Sequence, residues 1–311
     1  MTTTHFGNLA LNGSTPPPVP YKYAQYIRVP GDPVTRQRFE FRELAIKVRE
    51  FLSYQLGTHT RDQAARMLWV QGRPGEGKSE GCLVAALNAG FAVAVLSPGL
   101  FSGDTEGKSI EVLHEVLTEF VRWSADNKRP IVVILDDFDL STASVGEDVG
   151  STVNSQLLIN EFMALADNRH LYRTQFGNIG FICTVNDASG MRESLHRAGR
   201  AIWHDHVPSN EDKANIAWSI LAPITSSERD LVAALVRKNL RQPVSFWKAL
   251  YHRMQALHAR QLIENGMPDR AAIDQAYGRR LKLEPDIAWT AAKALRNSRA
   301  RSFLRKGLGG R

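Results

Sequence analysis

The residues Gly72-Arg73-Pro74-Gly75-Glu76-Gly77-Lys78-Ser79 follow the spacing G-x-x-x-x-G-K-[ST]. In that pattern glycines let successive backbone N–H groups turn inward around phosphate oxygens, and the helix that follows adds its partial positive N-terminus. Lys78 then reaches the β- and γ-phosphates of a nucleoside triphosphate, and the Ser79 hydroxyl is placed to ligate Mg²⁺. Gly72, Pro74, Gly75, Glu76, Gly77, Lys78, Ser79 and Glu80 are the expected nucleotide-binding residues, with ATP and Mg²⁺ as the ligands. A Gly-rich turn can match the spacing by chance. Here the apolar run Met67-Leu68-Trp69-Val70 leads straight into the loop and a helical run, Ser79 to Ala89, leaves it, which is the context the motif requires.

Three further groups could serve the same chemistry. Ile131-Val132-Val133-Ile134-Leu135 is a wholly apolar, largely β-branched strand that ends in Asp136-Asp137. It delivers two carboxylates at the strand's C-terminal edge, where open α/β sheets bind ligands. Asp136 is expected in the Mg²⁺ shell, and Asp137 is expected to orient and deprotonate the attacking water. The strand Ile179 to Val185 ends at Asn186, a turn former in isolation but here a candidate for positioning that water. His196-Arg197-Ala198-Gly199-Arg200 follows. Arg197 and Arg200 could reach a neighbouring subunit's γ-phosphate and stabilise the charge that develops during transfer; in isolation they would read as two surface arginines.

Positioning these groups requires a sheet. Strands are expected at Met67 to Gln71, Phe91 to Leu96, Ile131 to Leu135, Ile179 to Val185 and, at an edge, Ile202 to Val207. Helical runs fall between them at Ser79 to Ala89, Ile110 to Ala125 and Val153 to Asn168. Such alternation implies an α/β domain with a mostly parallel sheet covered on both faces. Beyond Pro208 the runs Lys213 to Leu221, Ser227 to Asn239, Ser245 to Glu264 and Arg270 to Leu281 are helical without an intervening strand. The expected division is an N-terminal segment over 1–60, irregular to about residue 35 with one helix after it; an α/β nucleotide-binding domain over 61–210; an all-helical lid over 211–285; and a basic tail over 286–311.

Composition narrows the class. Of 311 residues, 43% are apolar and 23% charged, as in ordinary globular chains. No apolar run approaches a bilayer span, and Met1 to Pro20 is polar and Pro-rich, unlike a signal peptide. No membrane partner and a cytoplasmic setting are the expectation. Cys82 and Cys183 sit among apolar neighbours, as small core residues in a reducing compartment do. The net charge of +7 equals the seven cations Lys293, Arg296, Arg299, Arg301, Arg305, Lys306 and Arg311, which follow the last acid, Asp286. The body is therefore formally neutral, and any nucleic-acid surface would lie in the tail, which a solvated basic end also explains.

Read in order, the phosphate loop, the Asp-Asp strand, the Asn-ending strand, the paired arginines and the helical lid resemble an AAA+ P-loop NTPase. The detail is similar to one family, Rubisco activase. Thr152-Val153-Asn154-Ser155-Gln156 with Ala164-Leu165-Ala166-Asp167-Asn168 resembles its T-V-N-N-Q…N-I-A-D-N/A helix, and Thr184-Val185-Asn186-Asp187 its T-G-N-D. Leu195 to Arg200 resembles L-I-R-D-G-R, Ser97 to Glu106 resembles S-A-G-E-L-E-S-G-N-A, and Gln242 to Leu250 resembles Q-S-I-D-F-F-G-A-L. The resemblance implies a homo-oligomeric ring, a hexamer, with nucleotide between subunits and arginines supplied in trans. It maps the lid's sensing arginine to Arg253 and a pore-facing loop to Leu100–Lys108, which carries Phe101 but no aromatic at its tip, so no strong threading grip on an unfolded chain is expected. It implies ATP-driven remodelling of a protein client, Rubisco or another assembly. The residues alone leave two other readings open: a nucleic-acid-associated ATPase of a mobile element or phage using the tail, and a ring scaffold stabilised by nucleotide.

Overall fold

The computed structural model describes residues 21–32, 39–56, 65–101, 107–138, 153–167, 175–177, 179–187, 201–263, 266, 269–271, 273 and 281–307. Six strands make one sheet: β1 (Ile27–Arg28), β2 (Met67–Gln71), β3 (Ala92–Leu96), β4 (Ile131–Leu135), β5 (Gly180–Val185) and β6 (Ala201–Asp205), in the order β1-β3-β4-β5-β2-β6. β3, β4, β5, β2 and β6 are mutually parallel, and β1 adds an antiparallel pair at the β3 edge.

β4 and β5 are buried at every position, which is why both read as unbroken apolar runs rather than alternating ones. Alternate side chains feed two cores. Leu68, Val70, Val132, Ile134 and Ile182 face α1 (Arg42–Leu56) and α2 (Lys78–Asn88), in a core continuous with the C-terminal helices. Met67, Trp69, Val133, Leu135, Phe181 and Cys183 face α3 (Lys108–Asp126) and α4 (Val153–Asp167). Aromatic packing fixes the second core: Trp69 stacks on Trp203 with centroids 5.8 Å apart and meets Phe138 edge-on at 5.3 Å. Both cysteines are free and buried, and burial pushes their thiols far above the ordinary range.

The helical part comprises α5 (Asn210–Leu221), α6 (Ser226–Asn239), α7 (Ser245–Ile263) and α8 (Pro285–Gly307). Capping boxes start two of them, Ser209 with Asp212 and Thr225 with Glu228. Buried Glu228 also accepts the Leu283 N–H at 3.2 Å, tying the start of α6 to the extended run Leu281–Glu284.

Three departures from the sequence reading are physical. The stretch expected to be irregular to about residue 35 contains β1. Two residues are too short to show a period, and what holds them is distant: Lys22 Nζ lies 3.0 Å from Glu115, and the Tyr23 hydroxyl donates to Glu115 at 3.1 Å. The boundary expected at 286 falls inside α8. Its Ala288, Ala291 and Ala292 are buried, small enough to let the helix approach its neighbours, and Arg296 donates to buried Asn239 at 3.0 Å. Much of the expected tail is thus helix, and part of it belongs to the helical layer. Phe101 is not offered to a pore: it is buried, edge-on to Phe162 of α4 at 6.5 Å. The rest of that loop, 102–106, lies outside the described residues, as does 274–280 of the helix expected to end at Leu281. Among the described residues no helix is long and apolar enough to cross a membrane.

Candidate functional site

β2 delivers the phosphate loop at the C-terminal edge of the sheet, beside the ends of β5 and β6. Gly72 donates to Val185 O at 3.2 Å, continuing the β2–β5 ladder, and a side chain there would meet the His206 carbonyl at 2.5 Å. Gly75 stands at φ +77, in the left-handed region, with Ser245 against the space a Cβ would take. Gly77 is the N-cap of α2 with no side chain capping the helix, so the helix start faces the cavity as backbone.

Lys78 is buried beneath the loop. Its ammonium donates to Gly72 O at 2.8 Å, Arg73 O at 3.2 Å and Asn186 Oδ1 at 2.9 Å. Asn186 in turn donates from Nδ2 to Asp137 Oδ1 at 3.2 Å. One amide therefore bridges the loop's lysine and the second acid of β4. Asp136 accepts hydrogen bonds from the Ser79 hydroxyl and, at 2.7 Å, from the Thr184 hydroxyl. Thr184 also accepts the Asp137 N–H at 3.0 Å, so a single buried hydroxyl orders both acids. Asp137 itself has φ 53, a conformation Asp tolerates better than most residues. The turn sends Phe138 back into the core while its carboxylate lines the cavity.

The cavity measures about 780 Å³, within the range of small-molecule sites. Pro74, Gly75, Gly77, Lys78, Ser79, Glu80, Asp136, Asp137 and Asn186 line it. Apolar lining comes from Phe39, Phe41, Ile216, Ile220 and Val244, with Phe41 and Val244 close against Gly77. Among the described residues two cations line it, Lys78 and, from the first turns of α7, Lys248. His206 is buried against Phe41, with centroids 4.7 Å apart, and its Nε2–H donates to Glu76 O at 3.0 Å. Burial pushes its pKa below the ordinary value, with the Glu76 backbone bond opposing and His204 and Lys78 assisting.

Of the expected residues, the structure brings together Lys78, Ser79, Asp136, Asp137 and Asn186 at the cavity, with Pro74, Gly75, Gly77 and Glu80 beside them. Gly72 and Glu76 lie behind the lining. Arg253 is exposed and outside it. Five residues beyond Lys248, it points roughly 140° round the helix from it. Arg197 and Arg200 lie outside the described residues. The residues missed are Thr184, Lys248, Phe39 and Phe41. Thr184 and Lys248 fall inside the family-like segments Thr184–Asp187 and Gln242–Leu250, which carry no sign of a role for either, and Phe39 and Phe41 lie far from any motif.

Residues 68–208 match the model of the ATPase family associated with various cellular activities (AAA). Over 204 residues, 63% of this chain and 49% of the relative, the chain is 28% identical to a ribulose bisphosphate carboxylase/oxygenase activase of Nostoc sp.. It is 24% identical over 232 residues to the chloroplastic activase of Chlamydomonas reinhardtii, 71% of this chain and 56% of that protein. It is also 24% identical over 206 residues to that of Arabidopsis thaliana, 64% and 43% respectively. The chain spans about half the length of the Nostoc relative. Residues 68–208 are thus similar to the AAA-family ATPase domain, and most of the chain is similar, at 24–28% identity, to these Rubisco activases.

Proposed function

We propose that this chain hydrolyses ATP in a Mg²⁺-dependent reaction and uses the cycle to remodel a protein client. The observation that carries the reading is the convergence of Lys78, Ser79, Asp136, Asp137 and Asn186, from three different segments, on one cavity. Its apolar lining, Phe41 and Ile216 included, suits a nucleobase, and the α2 start with Lys78 suits the phosphates. Adjacent hard oxygens, the Ser79 hydroxyl and the Asp136 carboxylate, fit Mg²⁺. When bound there, the ion would supply positive charge against the charge that develops on the phosphates.

The chain's own groups would do the rest. Lys78 would exchange its loop-carbonyl partners for phosphate oxygens. Asp137 would hold the water and accept its proton, with Asn186 orienting that carboxylate and passing the position of Lys78 to it. Arg197 and Arg200 would complete the site from a neighbouring subunit of a hexameric ring.

For the client, the relatives' names point to Rubisco. The test is whether this chain with ATP restores carboxylation to sugar-phosphate-inhibited Rubisco, with Lys78→Ala as the inactive control. Recovery that needs ATP and Lys78 supports the full reading. Turnover of ATP without recovery across several Rubisco forms keeps the ATPase and rejects the client, and turnover stimulated by DNA or RNA would direct the search to nucleic acid. No ATP turnover by the wild type rejects the reading.

A further inference from the structure

Glu76 is an acid inside an anion-binding loop, and its side chain turns away from the cavity. Its carboxylate is buried against Lys213 of α5, with Nζ to Oε1 at 3.0 Å and the two side chains 8% and 11% exposed. Its other oxygen accepts the Val244 N–H at 3.2 Å, immediately before α7. Next to it, Gly75 O accepts the Ser245 N–H at 2.8 Å, and Glu76 O accepts from His206. Two consecutive loop residues are therefore bonded to α5, to the start of α7 and to the chain leaving β6.

A carboxylate beside a phosphate site opposes anion binding unless a cation cancels it, and the effect is strong where water is scarce. Lys213 is that cation, and it is carried by the helical layer rather than by the loop. We infer that the Glu76–Lys213 pair is a latch that makes the phosphate loop's affinity for nucleotide depend on the docking of α5 and the start of α7. With Lys213 seated, the loop presents N–H groups and Lys78 to the phosphates without an opposing charge. With α5 displaced, an unpaired carboxylate stands next to the anion site, in the loop that forms it. Linkage makes the effect reciprocal: bound nucleotide holds the helical layer down, and loss of nucleotide releases it. The inference rests on the ATP-binding reading of the cavity and adds the means by which nucleotide state reaches the helical layer.

The test is a double-substitution cycle read by titration with a fluorescent ATP analogue, with thermal unfolding of each variant recorded without nucleotide. Lys213→Met is expected to weaken binding about 10-fold or more, within the usual range of coupling between sites. Glu76→Gln is expected to bind at least as tightly as wild type. Combining the two should return affinity to within about 2-fold of Glu76→Gln, the scatter of independent sites. Lys213→Arg, which keeps the charge, should bind like wild type. Wild-type affinity in Lys213→Met, or a double variant as weak as Lys213→Met, overturns the latch. If Lys213→Met does not fold alone, the double variant decides: folded but about 10-fold weaker than Glu76→Gln, it also overturns the latch. Wild type that binds no nucleotide sinks the proposed function and the latch together. Binding that is lost in Lys78→Ala, with no coupling in the cycle, sinks the latch alone.

Discussion

Asp137 stands where chemistry and conformation meet. Its φ of 53 lies in a region most side chains avoid, and the residues around it hold it there: Asp136 N–H on Leu96 O at 2.9 Å, Phe138 N–H on Thr184 O at 2.9 Å, and its own N–H on the Thr184 hydroxyl. That network keeps the carboxylate against Asn186 and at the cavity wall without help from substrate. Asp137→Asn keeps size and polarity and removes the basic oxygen. Turnover is expected to fall by ~10²–10⁴, the usual contribution of a general base, with ATP affinity little changed. Steady-state hydrolysis beside equilibrium nucleotide titration separates the two quantities; a parallel fall in affinity would place Asp137 in binding instead. The pair Asp136-Asp137 was legible because five buried residues before it fix where the strand ends. Thr184 was not, because a hydroxyl in an apolar strand signals nothing until its neighbours on β4 are known.

At the scale of elements, the strands and the helices of the α/β part read from sequence because each carries its own period, and buried parallel strands carry none at all. What failed were elements held by distant partners: β1, paired with β3 and preceded by Lys22 and Tyr23 bound to acids of α3, and the first turns of α8, fixed by small residues against the helical layer. The face α7 turns to the cavity carries Lys248 and not Arg253, and it depends on how Val244 and Ser245 bond to the loop. Lys248→Ala is therefore expected to weaken ATP binding by ~10-fold, about one charge-assisted hydrogen bond, with Arg253→Ala having the smaller effect. The reverse order in nucleotide titrations would restore Arg253. The end of β6 also sets a pH dependence. His206 titrates below the ordinary 6.5 in the folded chain, because it is buried and lies near His204 and Lys78. The unfolded chain therefore binds its proton first. Stability from this group is full above about pH 6.5 and is lost as pH falls toward the folded pKa. Urea midpoints should drop more between pH 7 and pH 5.5 in wild type than in His206→Gln; equal drops would acquit His206.

For the whole molecule, charge and completeness of the site decide how copies would meet. All seven excess cations lie after Asp286, on α8 and beyond it, so the part of the chain before them, which holds the site, has no net charge, and ring assembly through that part should depend on shape and on specific pairs rather than on overall attraction. Within one subunit the cavity has cations at Lys78 and Lys248 against acids at Glu80, Asp136 and Asp137. Among the described residues the acids outnumber the cations there, and Arg197 and Arg200 are the residues proposed to add, from the next subunit, positive charge for a transferring phosphoryl group. A head-to-tail ring makes this testable without a structure of the assembly. Subunits carrying Arg197→Ala and Arg200→Ala keep Asp137, and subunits carrying Asp137→Asn keep both arginines. Each preparation alone should be nearly inactive, because every interface lacks one component. When the two are mixed and allowed to exchange, some interfaces pair an intact Asp137 with intact arginines from the neighbour, and ATP turnover should return. Arginines that act within their own subunit would leave the mixture as inactive as its parts, because no single chain in it carries a complete set.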